Sequence, residues 1–129
     1  MTTADGRSTS RQALGEFGER VARAHLESKG YRVLETNFRT REGEVDIVAQ
    51  LDDVVVFVEV KTRRGDAMGS ALEAIDRRKA ERLLLASEAY GQQHPDLPED
   101  RRIDLIAIDL EPDGRVRSLE HVESVVEEG

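Results

Sequence analysis

At 129 residues the chain is one domain, long enough for a single substantial core. It contains no cysteine, which excludes a disulfide framework and any thiolate metal site. A net charge of −8 and a pI near 4.9 argue against a general nucleic-acid-binding protein, because phosphate contacts are the usual source of that affinity. No apolar run approaches the roughly 18 residues of a membrane span, and the opening MTTADGRSTSRQ lacks the apolar core of a signal peptide. These features predict a soluble, cytoplasmic protein with no membrane partner.

Residues 1–12 are small, polar and aperiodic, and read as a flexible arm. From Ala13 to Lys29 the pattern is helical, with Leu14, Phe17, Val21, Ala22, His25 and Leu26 on one broad apolar face and Gly30 as the C-cap. Glu19 falls about 20° from Leu26 on a wheel of 100° per residue, so it can lean toward whatever the helix packs on. His25 borders the same face and reads as a packing residue before it reads as a ligand. Tyr31, Val33 and Leu34 begin a strand running toward Phe38, and Arg39, Arg41 and Gly43 make a basic turn after it.

Two apolar runs follow, Glu44 to Leu51 and Val54 to Lys61, separated by Asp52-Asp53; they read as a β-hairpin. A two-residue turn places Leu51 opposite Val54, Val48 opposite Phe57 and Asp46 opposite Glu59; a four-residue loop keeps the same pairing, whereas a three-residue loop slips the register and takes Asp46 and Glu59 out of opposition. Alternation then projects Glu44, Asp46, Glu59 and Lys61 from one side, with Val45, Ile47, Ala49, Val54, Val56, Val58 and Val60 on the other. Carboxylates facing each other across a strand pair repel and need a cation. Lys61 is one candidate; a hard dication such as Mg²⁺ or Mn²⁺ is another, since such ions take carboxylate oxygens and keep several waters. The same charges are also those of a solvated strand end carrying an ordinary cross-strand salt bridge.

Thr62 to Gly69 reads as a polar connection, and about Met68 to Tyr90 as a second helix with Leu72, Ile75, Leu83, Ala86 and Tyr90 on one face. Lys79 falls within that apolar stripe, where it either snorkels outward or reaches a carboxylate or phosphate between helix and sheet. A loop with Pro95 and Pro98 leads to an apolar strand, Ile103 to Leu110, whose early acidic residue is Asp104. Pro112-Asp113-Gly114 turns the chain into a short edge strand, Val116 to Val122, before an acidic tail at 123–129. Seven basic residues (Lys61, Arg63, Arg64, Arg77, Arg78, Lys79, Arg82) against four acidic between 61 and 82 give the chain a charge polarity that softens the objection from its net charge. The order helix, three strands, helix, one or two strands predicts an α/β sandwich on a mixed sheet, with residues 13–122 as the domain.

The spacing of Asp46 from Glu59-Val60-Lys61 resembles the D…(D/E)xK site of the PD-(D/E)xK nuclease superfamily. The phrases GEFGERVARAHLESKGY (15–31), NFRTREGEVDIVA (37–49) and VVFVEVKTR (55–63), with the helix containing Lys79, resemble more closely the YraN-like family of uncharacterised endonuclease candidates, itself similar to archaeal Holliday-junction resolvases. The resemblance covers roughly residues 13–110. It implies a restriction-endonuclease-like αβββαβ core and Mg²⁺- or Mn²⁺-dependent hydrolysis of DNA, on branched or structured substrates. It implies Asp46 and Glu59 as metal ligands with the carbonyl of Val60, Lys61 as the residue that orients the attacking water, and Glu19 as the helix-borne carboxylate completing the site. Lys79 matches the second-helix lysine, and Lys79, Arg63, Arg39 and Arg41 are the expected DNA contacts. The motif proline is absent, Val45 preceding Asp46, which removes no ligand. By analogy with resolvases a homodimer is expected. Two other readings stand beside the enzyme: a catalytically inactive nucleic-acid- or protein-binding module on the same fold, favoured by the acidic balance, and an acidic dimer or adaptor whose hairpin charges only form salt bridges.

Overall fold

A run of valines in the middle of the chain can be buried on both faces only if something covers each face. In the computed structural model, which describes residues 6–65 and 71–126, two helices do so. The order is α1 (Gly6–Ser28), β1 (Arg32–Arg39), β2 (Glu44–Leu51), β3 (Val54–Arg64), a 3-10 turn (Ala71–Ala74), α2 (Arg77–Gln93), β4 (Asp100–Leu110) and β5 (Val116–Val122). The strands form one sheet in the order β1-β2-β3-β4-β5. All neighbours are antiparallel except β3 and β4, the parallel pair that the α2 crossover requires. This is the mixed α/β architecture expected from the sequence, consistent with a restriction-endonuclease-like αβββαβ core.

Ala22 and Leu26 of α1 pack on Ile47, Ala49, Val56, Val58, Ile106, Ile108 and Leu110. On the opposite face Leu83, Ala86 and Tyr90 of α2 pack on Phe38, Val45, Val48, Val55, Phe57 and Ile103. The Tyr90 ring stands edge-to-face with Phe38 at 4.9 Å and with Phe57 at 5.8 Å, both favourable arrangements for aromatic quadrupoles.

Several expected boundaries move. The first helix starts at Gly6, before the apolar periodicity of Ala13 begins; at its other end Gly30 takes the expected left-handed conformation, φ 90°. The second helix starts at Arg77 rather than near Met68, which lies outside the described residues. Its start is set by Asp76, whose carboxylate accepts the N–H of Lys79 at 2.8 Å as an N-cap. Leu72 consequently sits in the preceding 3-10 turn, half exposed, rather than in the helix stripe. Thr62 to Arg64 extend β3 instead of opening a loop, because Ile108 to Leu110 at the end of β4 pair with them; β4 also begins earlier than Ile103, at Asp100, opposite Val54.

Gly43, at the end of the β1–β2 turn, is buried against α2: a Cβ there would collide with the backbone carbonyl of Arg82. Gly43→Ala should therefore push the turn away from α2 and cost about 1–3 kcal/mol. An unchanged urea midpoint would show that the turn is not seated on the helix.

One charge is fully buried under α1. Asp104 of β4 accepts from Arg102 Nε and Nη2, each at 2.9 Å, from the backbone N–H of Ser124 at 3.1 Å, and from His121 Nε2 at 2.8 Å. Arg102 Nη2 also donates to the Tyr31 hydroxyl at 2.6 Å. His25 on α1 closes the chain of contacts, its Nε2 3.2 Å from His121 Nδ1. Burial, with help from neighbouring His121 and Lys29, pushes the His25 imidazole below its ordinary value.

Candidate active site

The β2–β3 hairpin has the register expected from its turn, Leu51 opposite Val54 through Ile47 opposite Val58. Beyond that pair the ladder stops, and Asp46 does not face Glu59 as a strand partner. The Asp46 carboxylate instead reaches across the gap and accepts the backbone N–H of Val60 at 2.8 Å. The change begins on β1, where Asn37 takes φ 56°, in the left-handed region that asparagine tolerates better than most residues. Pairing resumes with Phe38 opposite Val45. Val45 therefore packs with Val48 on the α2 side, not with Ile47 and Ala49 as strict alternation required.

The irregularity opens a cleft of about 390 Å³ lined by Leu14, Gly15, Glu19, Asp46, Glu59, Val60, Lys61 and Thr62. Four side chains expected to work together, Glu19, Asp46, Glu59 and Lys61, thus share one concavity. Helix α1 brings Glu19 there because Gly18, the residue before it, is buried hard against Thr62 of β3, where a Cβ would collide with the Thr62 side chain. Asn37 then donates its side-chain N–H to Glu19 Oε1 at 3.2 Å. Lys79 does not snorkel away: its ammonium pairs with Glu59 Oε2 at 3.1 Å.

The site is short of positive charge. Burial and the nearby Glu59 raise the Asp46 carboxyl to about 7, with Glu19 adding to the rise; the Val60 N–H and Lys79 only partly offset them. Glu59 is likewise raised by burial, against the opposing pull of Lys79 and Lys61 and with a further push from Glu44. Two carboxyl groups that both resist ionisation in one cleft fit a hard cation, which would replace protons there. Asp46 and Glu59 are the residues that could hold it. Lys79 occupies one Glu59 oxygen, leaving Oε1. Among the described residues no three His, Asp or Glu side chains converge as a complete metal cage. A dication of the Mg²⁺ type does not need one, since it binds through one or two carboxylates and fills its shell with water and phosphate oxygens.

The expected DNA contacts are scattered by comparison. Arg39 and Arg41 sit exposed at the β1–β2 turn, Arg39 with its Nε 3.7 Å from Glu44. Arg63 is bound to Asp109 through two contacts of 2.8 and 3.2 Å. Asn37 and Asp76 belong to this region without being candidate site residues in the sequence. Asp76 had a local signal, an aspartate three residues before Lys79 at a helix start; Asn37 had only its residue type inside a run that reads as strand.

A sequence model described as the uncharacterised protein family UPF0102 matches residues 18–108. The chain belongs to that family. The UPF0102 match spans Glu19, both carboxylate strands and Lys79, and corresponds to the YraN-like resemblance. A UPF0102 protein of Clavibacter michiganensis is 44% identical over 116 residues, covering 90% of this chain and 98% of its own length. One from Frankia alni is 42% identical over 113 residues, covering 88% and 93%, and one from Pelotomaculum thermopropionicum is 42% identical over 115 residues, covering 89% and 96%. This UPF0102 chain thus spans nearly the whole of such relatives. No helix among its described residues is long and apolar enough to cross a membrane.

Proposed function

We propose that this UPF0102 protein is a metal-dependent endonuclease that hydrolyses DNA phosphodiester bonds, with branched or structured DNA as its substrate. The observation that carries the reading is the Asp46–Glu59 pair: two carboxyls pushed upward in one cleft beside Lys61, with Asp46 anchored on the Val60 N–H. Asp46, Glu59 and the Val60 carbonyl would hold Mg²⁺ or Mn²⁺, and Glu19 extends the acidic wall. When bound, the ion supplies an acidified water and charge for the phosphoryl group in flight.

The chain's own groups do the rest. The Val60 N–H fixes the Asp46 carboxylate, and Lys79 fixes Glu59 from the α2 side. Lys61, exposed at the mouth of the cleft, orients the attacking water and offsets the negative charge that grows on the phosphate. Arg39 and Arg41 contact the DNA backbone. Two strands of a junction need two such sites, which a homodimer supplies.

Lys61→Ala is expected to slow cleavage of a four-way junction in Mn²⁺ by roughly 10²–10³-fold, the loss seen when one preorganised charge-stabilising donor is removed. Plasmid and single-stranded DNA would be tested alongside. Cleavage of all three at the wild-type rate by Lys61→Ala would sink its assigned role.

The second reading is an inactive binding module. It is favoured by the Lys79 ammonium already on Glu59 and by the net charge of −8. Calorimetric titration separates the two: absence of Mn²⁺ binding at millimolar concentration selects the module.

A further inference from the structure

Outside the cleft, a chain of polar contacts runs from β4 through β5 to α1. Its base is rigid, because Asp104 is fully buried and held by Arg102, the Ser124 N–H and His121. Its outer end is a pair of imidazoles, His25 and His121, whose nitrogens face each other from elements 96 residues apart in the chain.

We propose that His25 Nε2 and His121 Nδ1 form a binding site for a borderline first-row dication, Zn²⁺ being the reference ion. Three observations on these residues support it. The first is separation. Two nitrogens each about 2.0–2.1 Å from a tetrahedral Zn²⁺ stand roughly 3.3–3.4 Å apart, and these two stand 3.2 Å apart.

The second is the tautomer. A carboxylate only accepts, so His121 Nε2 carries the proton donated to Asp104, and in the neutral ring Nδ1 is left bare and pointing at His25. A buried carboxylate behind one imidazole nitrogen and a free lone pair in front is the arrangement that orients metal-binding histidines. The third is approach. Asp104 is sealed, but the His121 side chain keeps 12% exposure and His25 is half-buried, so neither imidazole is closed off from solvent.

Without the ion, His25 Nε2–H donates to His121 Nδ1. With it, the His25 proton resides on Nδ1 and both facing nitrogens become ligands, so no net proton is released. Among the described residues no third His, Asp or Glu completes the set, and water or an added ligand takes the remaining positions. Imidazole donors select Zn²⁺, Ni²⁺ or Cu²⁺ over Mg²⁺ and Mn²⁺, which separates this site chemically from the carboxylate cleft. The ion would staple α1, which carries Glu19, to the far edge of the sheet. By linkage it raises the stability of the folded chain.

The test uses the full chain and Zn²⁺ alone, followed by calorimetry, thermal melting and side-chain ¹⁵N NMR of the three histidines. Two variants are compared. Asp46→Ala removes the carboxylate site, and His25→Gln keeps a side-chain N–H donor for His121 but no imidazole. Loss of even an outer-shell partner weakens metal sites 10–100-fold, so His25→Gln is expected to weaken Zn²⁺ binding by roughly 100-fold or more. In Asp46→Ala, Zn²⁺ should still bind, raise Tm, and shift the His25 Nε2 and His121 Nδ1 resonances while His94 stays put. Binding lost in Asp46→Ala, binding unchanged in His25→Gln, or unmoved His25 and His121 nitrogens would each overturn the site. An unchanged metal-free Tm in His25→Gln confirms that the variant folds.

Discussion

Asp46→Asn is expected to abolish metal-dependent DNA cleavage while making the metal-free protein more stable at pH 8. The loss of activity follows from removing a charged ligand. Metal charge stabilisation is worth several kcal/mol, and each 1.36 kcal/mol is tenfold in rate, so a fall of roughly 10³-fold or more is expected. The gain in stability follows from the same carboxylate. Asp46 is raised to about 7 by burial and by Glu59, with Glu19 adding to it. A carboxyl raised above its unfolded value, about 3.9, binds more protons folded than unfolded. Its contribution to stability is present below that lower value and disappears as pH rises through 7.

Asparagine is neutral throughout and its side-chain oxygen can still accept the Val60 N–H. In chelator, the difference in Tm between variant and wild type should widen in the variant's favour from pH 5 to pH 8. It should shrink when Mn²⁺ is added, because only the wild-type carboxylate pair is relieved by the ion. A difference that does not change with pH would contradict the electrostatic account of the cleft; wild-type cleavage by the variant would contradict the nuclease reading.

Asp104→Ala is expected to be the most destabilising single substitution in the polar part of the molecule. Truncation takes from Arg102, His121 and the Ser124 N–H the carboxylate they share, in a place where Asp104 itself has 0% exposure; Arg102 keeps the Tyr31 hydroxyl and Glu123, 3.6 Å from its Nη1. Removing one partner of a buried ion pair costs about 3–5 kcal/mol when the remaining charge has no other partner, and the lower end applies here because Arg102 is part-exposed and paired with Glu123. Burial alone would raise this carboxyl, but the hydrogen bonds from His121, Arg102 and the Ser124 N–H outweigh it and hold it below the usual carboxylate range. The sign is opposite to that of Asp46. Stability from Asp104 is present above about pH 4 and is lost as pH falls through its depressed value. Urea unfolding at pH 7 measures the cost directly, and a loss under about 1 kcal/mol would mean that water or Glu123 replaces the carboxylate.

The hairpin shows how far the sequence could be read. Two apolar runs flanking Asp52-Asp53 give the register down to Ile47 opposite Val58 once the turn has two residues; the turn length, which the runs alone do not set, decides it. They could not show where the ladder ends. Asp46 leaves it because its carboxylate replaces a strand partner for Val60, and the irregularity is prepared on another strand, at Asn37. The α1 face and the buried Leu83, Ala86 and Tyr90 of α2 followed from periodicity, the buried Ser87 did not, and the start of α2 followed from the Asp76 cap, a competing local bond that the apolar pattern does not register. Lys79 looked out of place in an apolar stripe, and its ion pair with Glu59 is the reason it can sit there. The His25–His121–Asp104 contacts had no signal at all in the local pattern. Their members lie on three elements and meet only when β5 pairs with β4 beneath α1.

On the proposed reading the carboxylates of β2 and β3 hold a hard dication, with Lys61 beside it. Crystals grown in Mn²⁺ and measured for anomalous scattering test this most directly. A peak is expected between Asp46 and Glu59, about 2.1 Å from an oxygen of each, and it should disappear in Asp46→Asn. A cleft without a peak at saturating Mn²⁺, or a peak that survives the substitution in place, would contradict it.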